Sequence, residues 1–267
     1  MTTLASINPK PIERVRTTRP RAEAIRMLGR LIRSEIRLVL REPVVLTFVF
    51  AFPVLTVLVL GGVFEPDDPA FEGIDPAHYF VASYVGVVIA AIGLIMLPVH
   101  IAGYRERGVT RRFHASAFPR WALPVVHIVT GVLMTVVGVV ALLIAAWATY
   151  GIPGVDDPAT TTIGVGLGTL AFVSAGVALG TLIKTARGAQ GIGMMLFFPS
   201  FLLGGGGPPP DAMGATMRTV SSWVPLTHVI RSIQEPWLSI GAPADHQLVL
   251  VFILGATMML WLRPRAS

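Results

Sequence analysis

The chain of 267 residues contains no cysteine. That absence excludes disulfides, a thiol nucleophile, thiolate metal sites and iron–sulfur clusters. Charge is scarce as well: 13% of residues are Asp, Glu, Lys or Arg, against 53% hydrophobic. Soluble domains carry about a quarter charged residues. A protein core alone cannot absorb so much apolar surface, so lipid is the expected solvent. Lysine is nearly missing, since only Lys10 and Lys184 stand beside the arginines. Such a bias fits a GC-rich bacterial genome. Internal repeats are lacking, and so is a linker long enough to split the chain. Residues 1–43 hold no short apolar run ending at a cleavage site, so no signal peptide is expected there.

What is present is a set of uncharged apolar runs. About 20 residues cross roughly 30 Å of hydrocarbon. Runs of that kind lie at about 44–64, 80–101, 122–148, 160–183, 189–206 and 245–262, the last two being the shortest. The expected fold is an all-α polytopic membrane protein with six transmembrane helices. Pro53 and Pro98 fall inside the first two runs and should bend them. The chain divides into a cytoplasmic segment at 1–43, the spanning domain at 44–262 and a cytoplasmic tail at 263–267.

Basic residues set the orientation. Apart from Arg218 and Arg231, every Lys and Arg lies in the N-terminal segment, between the second and third runs, around Lys184 and Arg187, or at the C-terminal Arg263 and Arg265. Six spans with both termini cytoplasmic satisfy this pattern without conflict. Acidic residues concentrate on the other side, at Glu65, Asp67, Asp68, Glu72, Asp75, Asp156, Asp157, Asp211, Glu235 and Asp245. The net charge of +6 is therefore a topology signal, and nucleic acid is not an expected partner.

Residues 22–42 have the pattern of an amphipathic helix. Ile25, Leu28, Ile32, Ile36 and Val39 recur at steps of three and four, and so do Arg26, Arg30, Arg33, Arg37 and Arg41. At about 100° per residue the two stripes lie nearly opposite each other. Such a helix rests in the membrane surface with its arginines toward lipid phosphates. Glu35 sits within the apolar stripe and calls for a basic partner.

The loop at 103–121 is short and charged, with a helix expected from about Arg107 to Ala117. Its run Arg105-Glu106-Arg107-Gly108-Val109-Thr110-Arg111-Arg112-Phe113, followed by Ala117-Phe118-Pro119, resembles the loop after the second span of ABC-2 type transporter permeases. There a basic residue, Glu, a Gly-Thr pair and further basic residues precede a Thr-Pro element. Here Val109 separates Gly108 from Thr110, and Phe118 stands before Pro119. A second match is Phe198-Pro199-Ser200-Phe201-Leu202-Leu203-Gly204, then Pro210, Met213 and Trp223-Val224-Pro225-Leu226-Thr227-His228. It resembles the family's segment after the fifth span, with Gly204 to Gly207 where Ser-Gly is usual. The chain is most similar in character to compact, drug-resistance-type permeases of actinobacteria.

The resemblance implies two permease copies, identical or not, and a nucleotide-binding ATPase dimer docked under residues 103–121. The first and fifth spans would line the path, and short helices between Gly204 and Asp245 would dip back toward the membrane. Substrates in keeping with it are a lipophilic drug, a lipid or a lipid-linked glycan. It also makes Arg105, Glu106, Arg107, Gly108, Thr110, Arg111, Arg112 and Phe113 the ATPase-coupling loop, with Glu106, Arg111 and Arg112 transmitting force. ATP and magnesium would belong to the partner subunit, and no cofactor is expected in this chain. The residues agree: Gly204–Gly207 is followed by Pro208, Pro209 and Pro210, with no lysine, and cannot cradle phosphate as a P-loop does.

Two other classes compete. A proton- or ion-coupled secondary transporter or channel keeps ionisable residues within its spans. Here His100 and His127 lie toward the cytoplasmic ends of their runs, Lys184 stands at a boundary, and no acidic residue lies in the interior of a run. An intramembrane hydrolase has Ser174 and Ser200 as candidates, but neither sits in a nucleophile elbow, and no His-Glu-x-x-His motif for zinc occurs. The pairs Gly164/Gly168 and Gly176/Gly180 allow close helix approach, within one bundle or between copies.

Overall fold

The computed structural model describes residues 21–39, 41, 43–65, 68–71, 73–109, 122–151, 154–208 and 213–262. All regular elements among the described residues are helical. Helix α1 is Arg21–Val39. Helix α2 combines Pro43–Leu46, a π-helical turn Thr47–Ala51 and Phe52–Val63. Helix α3 combines Pro76–Ala91, a second π-helical turn Ile92–Met96 and Leu97–Glu106. Then follow α4 (Ala122–Tyr150), α5 (Pro158–Leu182), α6 (Ala186–Leu203), α7 (Ala215–Ser221), α8 (Pro225–Leu238) and α9 (Ala244–Leu262).

Each expected span has a helix at its place. Three of them are long and apolar enough to cross a membrane: Pro76–Glu106, Ala122–Tyr150 and Pro158–Leu182. Two more, Val49–Val63 and Ala244–Met259, are apolar but shorter. The π-helical turns explain how Pro53 and Pro98 are tolerated. Proline has no N–H and its ring crowds the carbonyl one turn back. In both helices a wide turn directly precedes the proline-bearing segment. Around Pro98 the neighbouring helix comes close as well: a Cβ on Gly193 of α6 would collide with the Leu94 carbonyl.

Helix α3 forms the axis of the bundle, in contact with α2, α5, α6 and α8. Helix α4 is equally apolar yet mostly uncovered, with Val136, Val140, Ile144 and Trp147 all about half exposed. Exposed apolar surface on that scale belongs against lipid. The glycine pairs of α5 serve packing inside the chain. A Cβ on Gly164 or Gly168 would strike Ser232 or Val229 of α8, and one on Gly176 or Gly180 would strike α3.

Both ends of α3 extend beyond its expected bounds. Arg107 and Gly108 form a turn that closes α3, Val109 is helical again, and the rest of the helix expected from about Arg107 to Ala117 lies outside the described residues. Gly108 adopts φ +69, a left-handed conformation that glycine takes without a Cβ penalty. Residues 110–121, with Thr110, Arg111, Arg112 and Phe113, lie outside the described residues. The second run also starts earlier than its apolar stretch, at Pro76, where the Asp75 carboxylate accepts the Ala77 N–H as an N-cap.

Candidate functional site

Polar side chains are rare enough in this bundle that each buried one needs a partner. Helix α1 lies against the start of α4. Its arginines Arg26, Arg30, Arg33 and Arg37 are exposed, whereas Glu35 and Val39 are buried. Among the described residues Glu35 finds its partners in two histidines. His100 Nε2 of α3 hydrogen-bonds Glu35 Oε2, and His127 Nδ1 of α4 lies 3.9 Å from the same oxygen. The exposures are 2%, 6% and 3% for Glu35, His100 and His127.

The Tyr104 ring, one turn beyond His100, lies tilted against the His100 ring with centroids 4.8 Å apart. Burial pushes the Glu35 carboxyl up, but the His100 hydrogen bond and the adjacent imidazoles outweigh it and hold the group below the usual carboxylate range. Glu35 thus remains an anion that links α1, α3 and α4. His127 Nδ1 is buried with no hydrogen-bond partner among the described residues.

The two histidines do not stand alone: their rings are 5.9 Å apart and converge on one carboxylate. Glu35 inside an apolar stripe was the one available signal. The 65 residues between it and His100 leave nothing local to name the partner.

The described part of the arginine loop does different work. The Arg105 guanidinium donates to the carbonyls of Thr181 and Ile183, at the C-terminal end of α5. Glu106 Oε2 accepts the Ala186 N–H at 3.0 Å, at the start of α6. Helix C-termini attract cations and N-termini attract anions, because their end groups are unpaired. Two adjacent residues of α3 thereby complete the ends of two other helices. Among the described residues the Glu106 carboxylate is engaged with backbone. Arg107 instead lies over the Tyr104 ring, 5.9 Å from its centroid.

At the opposite end of the bundle, Glu235 of α8 pairs with His246 of α9 at 3.3 Å and with Arg231 at 3.7 Å. His228 Nδ1 lies 2.9 Å from His246 Nδ1. Both hydrolase candidates are accounted for by packing. Ser174 bonds Ala171 O and Thr257, and Ser200 donates to Leu196 O.

Comparison with known proteins agrees with this architecture. Residues 27–236 match the ABC-2 type transporter family, and the chain belongs to it. It is also similar to the probable multidrug ABC transporter permease YbhS of Escherichia coli K12, and to its counterpart in the O157:H7 strain. Each is 22% identical over 197 residues, covering 70% of this chain and 51% of the relative. The chain thus spans about half the length of the curated relatives it matches. Family and fold together define a transmembrane component of a transport system.

Proposed function

We propose that the chain is the permease subunit of an ATP-driven exporter whose ATPase is a separate polypeptide. The observation carrying this reading is the family match across residues 27–236 in a chain without a phosphate-binding loop. The six helices α2, α3, α4, α5, α6 and α9 cross the membrane, with both termini and Thr110 cytoplasmic. Helices α7 and α8 enter the membrane from outside without crossing it. Two permease copies and two ATPases form the working unit, in the cytoplasmic membrane of a bacterium. ATP closes the ATPase dimer, and the motion reaches the spans through residues 103–121 and α1. The multidrug assignment of the E. coli relatives supports a lipophilic drug as cargo, with a lipid or lipid-linked glycan as the other candidates.

The cap made by Glu106 supports the coupling role of the loop. A push on the segment that follows Glu106 bears directly on α5 and α6 through Arg105 and Glu106. The test is co-expression with candidate ATPase subunits. A stable complex whose ATP hydrolysis drives export is expected, and ATP-independent, proton-driven export by the chain alone would replace this reading with a secondary transporter. Topology is checked separately by single cysteines in this cysteine-free chain. Positions Ala70, Val155 and Ile240 should label from outside and Thr110 from the cytoplasm.

A further inference from the structure

Among the described residues, Glu35, His100 and His127 form the one group of at least three side chains placed to hold a metal ion. We infer that this cluster is a binding site for a divalent transition metal, with zinc as its best fit, that fastens α1 to α3 and α4. The inference does not depend on the transport reading.

Three observations carry it. The first is the donor set. Two imidazoles and a carboxylate are ligands that zinc accepts, and with no cysteine in the chain no thiolate site competes. The second is geometry. The three donor atoms lie within 4.8 Å of one another. Ligands at tetrahedral zinc, bound at 2.0–2.1 Å, stand about 3.4 Å apart. His127 Nδ1 must come closer to the Glu35 oxygen, from its 3.9 Å, and His100 Nε2 must draw back a little. These are side-chain adjustments, and the helices keep their places. The third is the unpartnered His127 Nδ1. A buried ring nitrogen without a partner costs free energy, and it faces the two other donors.

The chemistry balances without a redox step. The metal takes the Nε2 lone pair of a neutral His100, whose single proton moves from Nε2 to Nδ1, so no proton is lost, and a water completes the four-coordinate shell. His127 coordinates through the Nδ1 lone pair. Tyr104, packed against the His100 ring, holds that imidazole in place from outside the ligand set. Each ligand sits on a different helix, so the metal holds α1 onto the bundle far more firmly than one hydrogen bond does.

The experiment uses the full chain without an affinity tag, stripped with a chelator and then equilibrated with zinc. Metal per chain is counted after gel filtration, and binding is titrated. About one tightly held zinc per chain and a higher unfolding temperature are expected. Cobalt in place of zinc should give the absorption spectrum of a tetrahedral ion. Glu35→Gln and His127→Gln should weaken binding by more than about 100-fold, beyond the 10–100-fold that losing an outer-shell partner costs. His246→Gln, in the other histidine pair, should leave binding unchanged. His127→Gln decides the matter if Glu35→Gln does not fold, because its Nδ1 makes no hydrogen bond among the described residues. Failure of the wild-type chain to hold zinc, or zinc retained undiminished by His127→Gln, would overturn the inference and leave the cluster as a hydrogen-bonded clasp.

Discussion

The bundle has a carboxylate with histidine partners at each end, and the two are built differently. At the arginine-rich end, Glu35, His100 and His127 come from three helices and are sealed from solvent. At the other end, Glu235, Arg231 and His228 share one helix, only His246 comes from another, and the histidines are half-buried. The first cluster ties distant parts of the chain together. The second stiffens a single helix and its junction with α9. Both carboxylates are buried, and the burial of their partners decides how much each cluster is worth: His100 and His127 are sealed, whereas Arg231 and His246 are partly exposed and water can take their place when one is removed.

Truncation of one histidine in each cluster is the most direct way to break this comparison. His100→Ala leaves the Glu35 anion buried beside His127 alone. Loss of one partner from a buried pair costs about 3–5 kcal/mol. His246→Ala should cost under about 1 kcal/mol, as for partly exposed pairs. Thermal unfolding in detergent at neutral pH measures both. Equal losses would mean that the sealed cluster is not the stronger of the two.

A smaller effect is expected where α3 meets α5 and α6. Glu106→Gln keeps an oxygen to accept the Ala186 N–H, while Glu106→Lys places a cation at a helix N-terminus. Loss of such a cap costs about 0.5–2 kcal/mol. The lysine variant should therefore insert in the membrane but be less stable by about that amount, and the glutamine variant should lose less. ATPase-coupled export adds the functional readout. Uncoupled hydrolysis in the lysine variant and wild-type coupling in the glutamine variant would assign Glu106 to positioning α6. Wild-type coupling in both would remove it from force transmission.

Much of this architecture is legible in the sequence, because lipid imposes a simple rule. A span must be long and uncharged, and the runs ending near Val63, Tyr150 and Leu182 announce themselves. Helix α1 is equally plain from its two stripes. What hydropathy cannot say is which apolar face meets protein. Helices α3 and α4 are similarly apolar, yet the first is almost wholly covered and the second mostly bare. Only glycines hinted at the difference, since Gly164, Gly168, Gly176 and Gly180 mark where α5 meets α8 and α3. The sealed cluster escaped for another reason. Its residues lie on three helices, and no periodicity links positions that meet only in the folded bundle. Glu35 was visible as a misfit in its stripe, but the need for a partner does not name the partner.

The smallest effect sharpens the comparison through pH. Burial, the neighbouring His246 and Arg231 all press His228 toward its neutral form, and only its contact with the Ser222 carbonyl opposes them, so its pKa lies below the usual 6.5. The facing groups are His246 on α9 and Arg231 on its own helix, with Glu235 reached through His246. The sign follows from proton counting. Between the folded and unfolded pKa values the unfolded chain binds more protons, so stability rises with pH there. The contribution of His228 is complete above about 6.5 and is lost as pH falls through its lower folded value. His228→Gln removes the titrating group and keeps a polar side chain. Unfolding temperatures followed from about pH 7.5 down to 5 should fall less steeply in that variant than in the wild-type chain. Because the site is half-exposed, the difference should be shallower than any effect at Glu35. Parallel curves would show that protonation at this end is not felt by the fold, and the two clusters would then differ in kind as well as in degree.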